Sequence, residues 1–127
     1  MNPKYKMTIA VLAGAVLGAA AVQGLHAQAK PPVYQITEIE ATNPDSYAKD
    51  YVPRAQAVIK AAGGRLLAGG KATSVEGDPP KPRVVITVWD SMEKFQAYRD
   101  SAAFKELIPI REKLAKFRSF TIEGVPQ

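Results

Sequence analysis

Arg83-Val-Val-Ile-Thr-Val-Trp89, followed at once by Asp90-Ser-Met-Glu93, is the stretch that decides how this chain folds. Its first half is β-branched at almost every position and apolar on both sides of the pleat, the composition of a central strand. Either Val84, Ile86 and Val88 face the covering helices and Val85, Thr87 and Trp89 face away, or the reverse holds. A sheet face open to water normally alternates with polar residues. The apolar row left over therefore calls for a second subunit packed sheet to sheet. Asp90 and Glu93 read as a capping box, with Asp90 capping and Glu93 reaching back. The helix they open carries Met92, Phe95 and Tyr98 at three-residue steps and ends near Asp100.

Upstream, Val33 to Glu40 (V-Y-Q-I-T-E-I-E) is rich in β-formers and reads as a first strand. Asn43-Pro44-Asp45 then starts a helix: Asn caps, Pro fits the first position and Asp meets the positive end of the dipole. Tyr47, Tyr51, Ala55, Val58 and Ala62 form its apolar stripe, with Pro53 expected to bend or break it. Gly63-Gly64 ends it. Arg65 to Ala68 begins a second strand, expected to be interrupted by a bulge at Gly69-Gly70 and resumed through Thr73 to Val75. Glu76 to Pro82, with three prolines, is a loop. Downstream, Ser101 opens a further helical piece bearing Phe104, Leu107, Ile108 and Leu114, with Pro109 as a kink, and Lys116 to Glu123 alternates as a last strand. The order is β-α-β-β-α-β, an α+β ferredoxin-like fold with a four-stranded antiparallel sheet.

The 127 residues include 17 Lys and Arg, 12 Asp and Glu, one His and no Cys. The N-terminus is basic (Lys4, Lys6), then apolar from Met7 to Val22, then ends in Ala27-Gln28-Ala29. That layout predicts a secretory signal peptide over residues 1–29, a domain over residues 30–127, and a periplasmic or secreted location. The apolar run falls just short of the roughly 18 to 20 residues that span a bilayer, so an uncleaved anchor is the alternative. After cleavage no membrane association is expected. Loss of Lys4 and Lys6 leaves 15 basic residues against 12 acidic, and these are interspersed, which gives no nucleic-acid footprint.

The single histidine, His26, lies inside the predicted signal. A mature chain without His or Cys offers no Ser-His or Cys-His nucleophile, no Cys/His metal site, no disulfide and no His or Cys haem ligand. No metal and no cofactor are expected, and no catalytic residue is assigned. General-base work would fall to a carboxylate such as Glu38 or Asp100. Gly63-Gly64 closes a helix rather than opening one, the wrong geometry for cradling an anion.

The ordered set Gly63-Gly64-Arg65, Gly69-Gly70, Glu76-Gly77, Pro82-Arg83-Val-Val-Ile, Ser101-Ala-Ala-Phe104, Arg111 and Glu123-Gly124 resembles the family called domain of unknown function 1330. This likeness spans nearly the whole mature chain and departs from the family's usual pattern at Trp89 and Phe104. It implies membership of the dimeric α/β-barrel superfamily, hence a homodimer whose two sheets form a barrel, and it implies no activity.

Four residues stand out as candidate ligand contacts. Arg111 can anchor a carboxylate in a cleft, although an Arg on a helix surface is commonly solvated or paired with Glu112 or Asp100. Ser101 can donate to a ligand, although such a Ser more often caps its helix. Trp89 can line a pocket, although a single Trp is more often core or interface. Tyr51, like Tyr47 and Tyr98, has the spacing of a core aromatic and also carries a proton donor. The site is expected between helices and sheet near Tyr51, Ser101 and Arg111. The sequence thus supports a dimeric module binding a small, mostly apolar or acidic molecule. The alternative is a cofactor-free enzyme, monooxygenase-like or isomerase-like, by fold-level analogy with superfamily relatives.

Overall fold

A computed structural model describes residues 30–126; the expected signal segment lies outside them. Four strands, β1 (Val33–Ala41), β2 (Arg65–Lys71), β3 (Arg83–Trp89) and β4 (Ala115–Glu123), form one antiparallel sheet in the order β2-β3-β1-β4. A helical turn (Pro44–Ser46), a π-helical turn (Tyr47–Tyr51) and α1 (Val52–Ala61) connect β1 to β2; α2 (Met92–Asp100) and α3 (Ala102–Leu114) connect β3 to β4. This is an α+β, ferredoxin-like fold, with β1 and β3 central as the apolar strand composition requires.

The pleat resolves the choice of rows on β3. Gln35 pairs with Thr87 and Thr37 with Val85, and these residues line the space beneath the helices. Trp89, on the same row, packs at 4.6 Å between ring centroids against Tyr98 of α2. Val84, Ile86 and Val88 therefore belong to the outer face, together with Tyr34, Ile36, Phe120 and Ile122. Val85 and Thr87 are thus turned away from the open face of the sheet, toward this chain's own helices.

Several local expectations are corrected. β2 runs unbroken through Gly69-Gly70 and stops at Lys71; its register irregularity lies between Leu66 and Ala68, and Thr73 to Val75 stay outside the sheet. Ser91, not Asp90, caps α2, its Oγ accepting from the Lys94 N–H at 3.2 Å. Asp90 instead meets Arg65 at 3.2 Å. Pro109 does not interrupt α3, which runs on to Leu114 with Phe104 and Leu107 buried on its inner face. At Pro53 the chain widens rather than breaks. The Val52 N–H bonds to the Tyr47 carbonyl five residues back, which accommodates a ring that cannot donate and would crowd the carbonyl of Lys49.

Candidate functional site

The inward row of β1 reads Val33, Gln35, Thr37, Ile39, apolar at both ends and polar in the middle. Above that middle lies a cavity of about 280 Å³. Its floor is Gln35, Thr37 and Ile39 of β1 with Val85 and Thr87 of β3 and Phe117 of β4. Its roof comes from the widened turn and α1, chiefly Tyr47, Tyr51, Val52, Ala55 and Ile59. The π turn sets the two roof tyrosines side by side, ring centroids 5.4 Å apart and 29° from parallel. Tyr51 also meets Phe117 edge-on at 5.7 Å. Small Ala55 leaves the room that a larger side chain would fill.

The polar floor is oriented from the core. Trp89 Nε1–H can only donate, and it does so to Gln35 Oε1 at 3.0 Å. The amide nitrogen of Gln35 must then point away, and it donates to Ser119 Oγ at 3.3 Å. Ser119 and Thr37 share a hydroxyl–hydroxyl bond of 3.0 Å. Trp89 is fully buried and is not on the cavity wall. Its contribution to the site is to fix Gln35, which is.

Arg111 closes one end of the cavity. Its guanidinium lies 3.9 Å from the Phe117 ring centroid and 5.3 Å from that of Phe104, while Arg99 covers Phe104 from 4.3 Å. Such stacking holds guanidinium groups flat and leaves their N–H forks free for an acceptor. Among the described residues neither Arg99 nor Arg111 makes an ion pair. Burial, followed by the like charge of Arg111, draws Arg99 below its ordinary pKa. A more open hollow of about 380 Å³ on the far side is also lined by Arg99, Phe104, Arg111 and Phe117, so Arg111 stands between two spaces.

The tyrosines respond to the same surroundings. Burial first, then the neighbouring Tyr51, pushes the Tyr98 phenol up to about 12 against the opposing pull of Arg111 and Arg99. Burial likewise raises Tyr51, with Arg111 and Arg99 again opposing, and raises Tyr47, with Arg83 and Arg111 opposing. All three remain neutral proton donors near neutral pH. No hydroxyl of these three has a hydrogen-bond partner among the described residues, and no completely buried polar side-chain atom there lacks one. Their hydroxyls are therefore not sealed off, and all three residues line the cavity.

Of the four candidates, Tyr51 and Arg111 meet at this cavity, whereas Trp89 and Ser101 do not line it. Ser101 is a helix cap: its Oγ accepts from the Phe104 N–H at 3.1 Å and donates to the Tyr98 carbonyl at 2.7 Å. Glu38 is turned to the outer face, where it accepts from the Lys81 N–H at 3.0 Å and pairs with Arg118 at 3.3 Å. Asp100 is exposed and off the lining, so neither carboxylate serves the cavity as a base. Gln35, Thr37, Arg83 and Arg99 escaped the sequence reading. Two polar residues at the centre of an inward β row were the available signal, and nothing local marks the arginines. Among the described residues no group of three or more His, Cys, Asp or Glu could hold a metal ion.

Residues 32–125 match the family model described as a domain of unknown function (DUF1330), and the chain belongs to that family. Among solved structures it is similar to a protein of unknown function, RPA0582, from Rhodopseudomonas palustris. They share 14% identity over 85% of this chain and 94% of that one, with a TM-score of 0.62. It is similar also to SnoaB, a cofactor-independent oxygenase from Streptomyces nogalater, at 14% identity over 76% of this chain and 96% of that one, TM-score 0.58. An uncharacterized NIPSNAP domain protein from Burkholderia xenovorans aligns at 17% identity over 76% of this chain and 94% of that one, TM-score 0.54. At these identities the likeness is one of fold. No curated relative matches the sequence significantly.

Proposed function

We propose that this chain is an exported homodimeric binding protein that holds a small, mostly apolar acidic molecule in the cavity between helices and sheet. One observation carries the ligand's chemistry: Arg111, with no carboxylate partner among the described residues, faces a cavity lined by tyrosines whose hydroxyls also have no partner there. Unpaired charge and unpaired hydroxyls are costly to keep from water, and an acidic ligand satisfies both. Among the described residues no Asp, Glu or His lines the cavity, so they offer it proton donors and no general base. That favours binding over catalysis. The oxygenase among the structural neighbours keeps a cofactor-free enzyme as the alternative.

The test of the ligand site is calorimetry with 4-methylbenzoate, an aromatic monoacid. Arg111→Ala should weaken its binding by about 1.5 to 3 kcal/mol, the range for hydrogen bonds to charged groups. Arg111→Lys should recover only part, because the planar fork is lost. Equal affinity in all three proteins would remove Arg111 from the site.

The dimer rests on the outer face, where Phe120 and Ile122 are 47% and 58% exposed beside Tyr34, Ile36, Val84 and Ile86. An interface of ordinary size would bury about 1,600 Å² in total. Export rests on the basic, apolar and small-residue order of residues 1–29. Native mass spectrometry of the exported form should give two copies of a chain starting within two residues of Lys30. Ile86→Asp should yield monomers. An intact Met1 would defeat the export reading, and a wild-type monomer at micromolar concentration the dimer reading.

A further inference from the structure

Arg83 and Phe117 both pair with Ile39, one from β3 and one from β4, so the three side chains form a single row across the helix-covered face. Two strand spacings separate the ends of that row, about 10 Å between backbones. Arg83 lines the cavity at one end, and at the other Arg111 lies on the Phe117 ring. Between them the floor is Ile39 and the roof is the stacked pair Tyr47 and Tyr51. Like Arg111, Arg83 makes no ion pair among the described residues. It faces Lys71 directly across β2 and β3, and like charges so placed repel one another. Nearby Glu38 and Glu40 do not relieve them, being engaged with Arg118 and Lys81. The cavity is thus cationic at both ends, flat and aromatic in the middle, with no carboxylate among the described residues that line it.

We propose that the ligand is a flat diacid, one carboxylate held by Arg83 and the other by Arg111, with its apolar body between Ile39 and the Tyr47–Tyr51 pair. This rests on the acid-binding reading and adds the second charge. A monoacid would leave one guanidinium and its lysine neighbour unneutralised, whereas a diacid answers both ends. The volume agrees with one ring. A cavity of about 150 Å³ holds benzene, so about 280 Å³ takes a ring with two small acidic substituents.

Calorimetry with terephthalate and 4-methylbenzoate, which share a ring and differ by one carboxylate, tests this on the full chain. Terephthalate should bind at least tenfold tighter to the wild-type protein. Arg83→Gln should abolish the preference for terephthalate, bringing it to the level of 4-methylbenzoate in the same variant; Arg83 is exposed, so this variant should fold. Arg111→Gln should weaken both probes, and Arg111→Lys, which keeps the stacked stem, should restore part of each. Equal affinity for the two probes, or an Arg83→Gln variant that keeps the tenfold preference, would overturn the diacid while leaving an acid site at Arg111. If neither probe binds, or Arg111→Gln weakens neither, the acid-binding reading falls and the diacid with it.

Discussion

The two ends of the helix layer solve the same packing problem in opposite ways. At one end Val33, Trp89, Tyr98 and Phe104 form a closed cluster, with Trp89 in ring contact with Phe95 and Tyr98. The turn after α1 comes down onto it at Gly64, where a Cβ would stand 2.7 Å from Ile59 Cγ2 and 2.8 Å from Trp89 Cη2. At the other end Ile39, Tyr47, Tyr51, Ala55, Leu107 and Ala115 pack around a cavity. There the facing residue is alanine, and the widened turn before Pro53 keeps the tyrosines on the walls. A large residue meeting a glycine seals one end; a small residue beneath a displaced turn opens the other. Tyr98 joins the two, packed in the closed cluster and lining the cavity.

The largest expected effect breaks the closed end. Trp89→Ala should cost about 3 to 5 kcal/mol in urea unfolding, through the void it leaves and the bond lost to Gln35. That is most of the stability of a domain this small. Tyr51→Phe at the open end should change stability by less than about 0.5 kcal/mol, since its hydroxyl has no partner among the described residues. It should nonetheless weaken 4-methylbenzoate. A Tyr51→Phe cost comparable to that of Trp89→Ala would erase the distinction between the ends.

Between these lies the pH response of Tyr98. Its folded pKa of about 12 exceeds the usual tyrosine value of 10.0, so the unfolded chain loses its proton first as pH rises. This contribution is fully present below pH 10 and is lost as pH climbs through about 12. It amounts to about 2.7 kcal/mol, 1.36 kcal/mol for each pH unit between 10 and 12. Tyr98→Phe should flatten the fall in stability over that window, followed by unfolding at stepped pH, and should remove the last step of the tyrosinate absorbance titration. A wild-type slope retained in the variant would place the effect elsewhere.

Much of the fold was legible because it depends on local pattern. The β-branched run Val84 to Val88 identified the central strand, the alternation of Phe117, Ser119 and Thr121 the last one, and Ser101 the cap of α3. Capping at Ser91 instead of Asp90 was missed because two adjacent residues both qualify, and Asp90 is drawn to Arg65 on another strand. β2 passes straight through Gly69-Gly70 because pairing with Val84 and Val85 of β3 outweighs the weak strand preference of glycine. At the site, Tyr51 and Arg111 were readable as amphipathic residues with usable polar ends. Trp89 misled, since its indole reaches the cavity only through Gln35.

The sequence by itself determined the order of elements, the antiparallel sheet, the surplus of apolar surface on β3 and the lack of thiol or imidazole beyond His26, because each is a matter of composition or spacing along the chain. Only the tertiary structure decided which row of β3 faces out, that Glu38 turns away from the cavity, and that Arg83, Ile39 and Phe117 share one row with Arg111 stacked on its Phe117 end. Those facts depend on register between strands 40 to 80 residues apart, where a shift of one residue sends every side chain to the opposite face.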